Sequence, residues 1–384
     1  MPTTKTVEQL LGKFVPPRHG GGPLRTALHL GPLASLAGGW SGDGFNAIWR
    51  PDKGKPTVPL RRFLELNMTK ETFDFDIIPG VVPNRGLANQ PDLNLYGLHY
   101  LQRVTDSDRR PFSTAGQALH LEPGLFMTVP PFLQDPLQPQ GPNNPLMPAT
   151  IVRMASIPHG VSVLMQGPNP GTTPIPGAPV IPPIYPLPEF PAFTPSSPHG
   201  NGLQPVNTPA NRPPIEHAVA EIQNIATDGP PDTNGPYVPP SAPTPFPQAL
   251  ADDPNSMLRD AIAGQTILGH IAINLSTKDV GSGIENILFL GTPTAGDTQD
   301  PTRANAFVSS VRATFWIEWV SIPDPHRGTR PQAAGGATDP LGAIDPFWPE
   351  PTFLQLQYSQ VVILVFNGVL WPHVSVATLT LSAG

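Results

Sequence analysis

Apolar and polar residues alternate with period two in a series of segments along the chain, and that period is the mark of half-buried strands. In Arg62–Ile78, Leu64, Leu66 and Met68 alternate with polar residues, and Phe73, Phe75 and Ile77 do so again beyond the polar stretch Thr69–Glu71. This pattern predicts a hairpin with its turn at 69–71. Further strands are expected at Leu93–Val104, Ala118–Val129, Thr150–Ser156, Val161–Gln166, Gly264–Ser276, Ile284–Leu290, Val308–Val320, Phe353–Phe366 and His373–Leu381. Before them, Ala34–Gly44 pairs a short apolar turn with a glycine-rich entry into a sheet.

The pattern stops at Pro168. From there to Pro254, 25 of 87 residues are proline, and only Ile215–Ala226 carries helical spacing. A stretch of this length inside a compact domain marks an insertion. The expected organisation is an arm at 1–24, a first part of a β-barrel at 25–167, a proline-rich insertion wrapping the barrel at 168–254, and the rest of the barrel at 255–384. About ten sequential strands predict an all-β, up-and-down antiparallel barrel, which removes sheet edges by closing on itself. A two-sheet sandwich and two separate domains are the rival architectures.

Composition agrees with this reading and excludes others. Proline and glycine make about 24% of the chain against an average near 12%, so long helices are excluded. A net charge of −7, with 22 scattered Lys and Arg, argues against nucleic acid. The chain has no cysteine, hence no disulfide, zinc-thiolate site or iron–sulfur cluster. The start of the chain has no basic and apolar leader pattern, and no apolar run reaches 18 residues. A cytoplasmic protein with no membrane span is expected, and a homo-oligomer is left open.

No phosphate loop, nucleophile elbow or His-Glu-x-x-His occurs. The ten histidines include no pair at metal-site spacing, but a porphyrin iron needs only one protein nitrogen. Two histidines stand out. His373 opens the last strand on the face of Ser375, Ala377 and Leu379, and His159 lies at a tight turn between two apolar strands.

Four segments carry a resemblance. PLASLAGGWSGDGF, ALHLEPGLFMTVP, TIVRMASIPHGVSVLMQG and LQYSQVVILVFNGVLWPHVSVATLTL resemble, in the same order, segments of nitrobindin-type haem-binding β-barrels, across about 230 residues. The resemblance implies a calycin or lipocalin-like barrel holding haem b, with His373 as the axial iron ligand. It implies an apolar bed drawn from Trp40, Phe45, Leu119, Met127, Met154 and Leu379, with His120 as a cofactor-binding residue on the distal side. It further implies reaction with peroxide, nitric oxide or peroxynitrite, with His159 and Arg85 or Arg153 as base and cation of a peroxidase-like site. A metal-free carrier of an apolar small molecule in the same cavity is the alternative. A structural protein working through its proline tract is a third reading.

Overall fold

The computed structural model describes residues 29–51, 62–86, 90–107, 116, 118–157, 161–184, 250, 253–277, 307–322, 352–366 and 369–382. A 3-10 turn, Gly31–Leu36, precedes β1 (Gly38–Pro51), β2 (Arg62–Ile77), β3 (Val82–Asn84), β4 (Leu93–Asp106) and β5 (Ala118–Val129). Next come β6 (Phe132–Leu133), β7 (Leu146–Met147), β8 (Thr150–Ile157), β9 (Val161–Pro168) and β10 (Ile175–Pro176). Helix α1 (Ser256–Ile262) leads into β11 (Ile267–Ser276), β12 (Phe307–Ser321), β13 (Thr352–Phe366) and β14 (Val369–Leu381).

Ten of these strands, β1, β2, β4, β5, β8, β9, β11, β12, β13 and β14, pair antiparallel in chain order. Pairing of β14 with β1 and of β9 with β11, at Gln166 and Ser276, closes the ring. The all-β up-and-down barrel expected from the alternation is therefore the architecture, and the sandwich is excluded. The expected strand Ile284–Leu290 and the helical spacing at Ile215–Ala226 lie outside the described residues, as does most of the proline tract. Helix α1 was not anticipated, because its seven residues offer only two turns of periodicity.

One expectation is corrected. Thr69–Glu71 is no turn: β2 runs unbroken through it for 16 residues. Thr69 and Glu71 are buried, and they continue the inward row of Phe73, Phe75 and Ile77. Met68, on the opposite row, packs outside the barrel in a cluster with Phe45 and Val376. The apolar residues change face along one strand, and that change imitates a turn.

The main core cluster draws on every barrel strand, from Trp40 and Phe73 to Phe315, Tyr358 and Leu379. Leu33 and Leu36 of the 3-10 turn and Leu30 just before it pack into it, and Trp40 Nε1 donates to the Leu36 carbonyl at 2.7 Å. This end of the barrel is the apolar end. Two further clusters lie outside the wall. One sits between β1, β12, β13, β14 and the layer of Ile181 and Leu258, and the other lies beneath Val82 and the β6–β7 hairpin.

Candidate functional site

Away from the 3-10 turn, the inward positions of the same strands turn polar. On β2 the inward row passes from Phe73 to Glu71, Thr69 and Asn67, and on β4 it passes from Leu98 and Tyr100 to Gln102. On β5 it holds Glu122 and His120, on β8 Arg153, on β13 Tyr358 and Gln360, and on β14 Ser375 and His373.

Arg153 is the centre of this half, 2% exposed beside Glu122 at 1%. Its Nη2 donates to Glu122 Oε1 at 2.5 Å, its Nε to the Tyr100 hydroxyl at 2.9 Å and its Nη1 to Gln360 Oε1 at 2.7 Å. The guanidinium also lies 5.3–5.7 Å from the ring centroids of Phe315, Tyr100 and Phe126, within cation–π reach. Tyr100 passes its own proton donation to Glu122, whose other oxygen lies 3.0 Å from His120 Nε2. Burial pushes the Glu122 carboxyl up, but Arg153 and the bonds from His120 and Tyr100 outweigh it and hold the group well below the usual carboxylate range.

Glu71 has a different setting. Its oxygens accept from Thr69 at 2.8 Å, from Tyr358 at 2.6 Å and from Gln102 at 3.2 Å, all neutral donors. Burial dominates and raises its proton affinity above the ordinary value. Gly44 makes this possible, since a Cβ there would stand 2.5 Å from Glu71 Oε1 and 2.6 Å from Thr69 Oγ1. Two carboxylates in one interior, pushed in opposite directions, are the arrangement from which acid and base roles are drawn.

Asn46 and Asn67 face each other across β1 and β2, each 5% exposed. The side-chain oxygen of each is buried without a hydrogen-bond partner. Ser375 sits opposite Asn46, and His373 opposite Ile48. These acceptors share the inward face with Glu71.

The residues expected from sequence are scattered over this frame. His373 faces inward at the polar end, its Nε2 3.0 Å from Ser375 Oγ, and His120 lies in the same half. Trp40 and Leu379 also face inward, but at the apolar end; Leu379 is six strand positions, about 20 Å, from His373. Phe45 belongs to the outer cluster beneath α1, and Met127 and Met154 to the outer cluster beneath the β6–β7 hairpin. Leu119 is on the row opposite His120, part-buried. Arg85 is exposed, pairs with Asp92, and follows β3 at the apolar end. His159 lies outside the described residues.

The described residues thus place His373 and His120 at the polar end, His120 beside Glu122, without the apolar bed expected around an axial histidine. The inward neighbours of His373 include Ser375, Asn46 and Gln360 as well as Ile48 and Val362. Among the described residues, no group of three or more His, Asp and Glu is placed to hold a metal ion.

Glu71, Glu122, Tyr100, Tyr358, Asn46 and Asn67 were not anticipated as a group. Their neighbour Arg153, which interrupts the apolar run TIVRMAS, carried a signal inside its own strand, whereas Glu71 and Glu122 only share parity with aromatic residues, which does not say that the shared face is the inner one. No helix among the described residues is long and apolar enough to cross a membrane. No family model, curated protein or solved structure matches the chain.

Proposed function

We propose that this chain is a metal-free, small-molecule-binding β-barrel whose polar half takes the cationic or N–H-donating head of an organic ligand. One observation carries the reading. Glu71 is buried among neutral donors only, and on the same inward face the oxygens of Asn46 and Asn67 have no donor at all. Buried acceptors left unpaired each cost about 1–3 kcal/mol, and an ammonium or amide N–H supplies what they lack. The buried cation Arg153 is occupied by Glu122, Tyr100 and Gln360, and among the described residues no cation donates a hydrogen bond to Glu71.

The test is a thermal-shift and calorimetric series with n-hexylamine, hexanol and hexanoate. Hexylamine is expected to stabilise the protein and hexanoate not to, and Glu71→Gln is expected to weaken hexylamine roughly tenfold, the size of one charge-assisted hydrogen bond. A preference for hexanoate, or hexylamine binding indifferent to Glu71→Gln, overturns the reading. Hemin serves as the contrasting probe: a Soret band lost in His373→Ala would turn the same end of the barrel to the haem reading.

A further inference from the structure

We propose a second ligand site, on the outside of the barrel wall, for an uncharged, flat, largely apolar molecule carrying one hydroxyl or N–H group. A cleft of about 620 Å³ lies there, within the size range of small-molecule sites. Its floor is the outer face of β11, β12 and β13, where Trp316, Val361 and Ile363 give it apolar surface. Pro182, Pro183 and Ile184 form one side, and Asn255, immediately before α1, stands beside them.

Two lining residues mark the cleft as more than a packing gap. Asn255, 1% exposed, donates its Nδ2 to the Pro182 carbonyl at 2.8 Å, which fixes the orientation of its amide. Its Oδ1 is left buried without a donor. Ser359, 5% exposed, has a hydroxyl oxygen that is likewise unpartnered. Asn255 Oδ1 can only accept, whereas Ser359 can donate and accept, so a ligand hydroxyl that donates to Asn255 and accepts from Ser359 satisfies both groups, and a lone N–H satisfies one of them. The described lining includes no acidic side chain, and its cation, Arg312, already has an interaction partner, which favours an uncharged ligand over an ionic one. The indole of Trp316 supplies a face on which a flat molecule stacks.

The probe is 1-naphthol, which is flat, apolar, uncharged near neutral pH and carries one hydroxyl, and whose neutral-form emission rises on leaving water. The wild-type protein is expected to bind one equivalent, quenching tryptophan emission, with that quenching reduced in Trp316→Phe. Ser359→Val and Asn255→Ala are each expected to weaken binding about five- to tenfold, one hydrogen bond's worth. Ile363→Trp, which fills the cleft, is expected to abolish it. Glu71→Gln leaves it unchanged, which separates this site from the one inside the barrel. No emission gain with folded wild-type protein overturns the proposal. So does a gain that survives both Ser359→Val and Ile363→Trp, or one lost in Glu71→Gln. Asn255→Ala tests the helix start as well as the cleft, so Ser359→Val, on the strand wall, decides if that variant fails to fold.

Discussion

The barrel wall carries two ion pairs of the same chemistry on its two faces. Inside, Arg153 meets Glu122 at 2.5 Å with both side chains almost fully buried. Outside, Arg103 of β4 meets Asp74 of β2 at 2.9 Å with about half of each side chain in water. Contact geometry barely separates them; solvent does. Water screens the outer pair and hydrates either partner when the other is removed, whereas the inner pair has replaced its hydration with Tyr100, Gln360, His120 and three aromatic rings. The polar interior is thus a region where one missing group is felt by all the others.

The largest effect is therefore expected inside. Arg153→Met leaves Glu122 buried without its cation and should cost about 3–5 kcal/mol, the usual result of breaking one side of a buried pair. Urea denaturation measures it. Adding Glu122→Gln to Arg153→Met should recover a large part of the loss, because the penalty lies in the stranded charge. A double variant as unstable as the single one would show that packing of Arg153 on Tyr100, Phe126 and Phe315 dominates instead. The wild-type pair also has a signed pH dependence. The Glu122 carboxyl sits below its unfolded value, so its contribution is present above the ordinary carboxylate range and is lost as pH falls below it.

A buried carboxylate without a cation should show the opposite sign. Glu318 lies on the outer face of β12 beneath other groups, 0% exposed, with one hydrogen bond from Gln355 and its Oε1 unpartnered. Burial pushes its pKa up to about 7 from 4.5. The folded state then holds this proton more tightly than the unfolded state. Stability from this group is fully present below pH 4.5 and is lost as pH rises through about 7. The accumulated loss above pH 8 is about 3 kcal/mol. Glu318→Gln should match wild type near pH 4 and exceed it by that order at pH 9 in the same denaturation assay. Parallel pH curves for the two proteins would place the charge in water.

Gly44→Ala sharpens the comparison at Glu71. The added methyl carbon would stand 2.5 Å from Glu71 Oε1 and 2.7 Å from the Val376 carbonyl, and the backbone oxygen cannot swing away. Overpacking of this kind costs about 1–3 kcal/mol. If the site holds an amine head through Glu71, Gly44→Ala should weaken hexylamine as well as lower the melting temperature. Gly42→Ala is not an adequate control, since its Cβ would meet the backbone of β14 at 2.0 Å.

The barrel itself was legible because strand alternation is local: each run from Leu93 to His373 announces a strand without reference to any other. Its inward polar half was not, because parity says which residues share a face and not which face is inside. Thr69–Glu71 shows the limit. A polar triplet between two apolar rows looks like a turn in a single strand, and becomes a change of interior polarity only when Gln102 and Tyr358 arrive from 31 and 287 residues away to meet Glu71. Phe45, Met127 and Met154 show the same limit from the other side. They are apolar, buried and on barrel strands, yet they face outward, because α1, Ile181 and the β6–β7 hairpin give the wall a second apolar layer. Asn46 and Asn67 carry no signal until their strands are in register.

The smallest effect belongs to the outer pair. Arg103→Ala removes a guanidinium from a half-exposed site, and water takes over the solvation of Asp74 at once. The exchange should cost about 0.2–1 kcal/mol, and less in 1 M salt, where screening acts within about 3 Å. Asp74→Ala should cost the same within error, and the double variant no more than either, since neither removal strands a charge. The Arg153 and Glu122 cycle should show strong coupling where this one shows only the outer pair's own about 0.2–1 kcal/mol. A coupling above about 1.5 kcal/mol for Arg103 and Asp74 would mean that the outer face of β2 and β4 is covered in solution. The contrast between the two pairs would then measure an interface, with burial supplied by a second molecule.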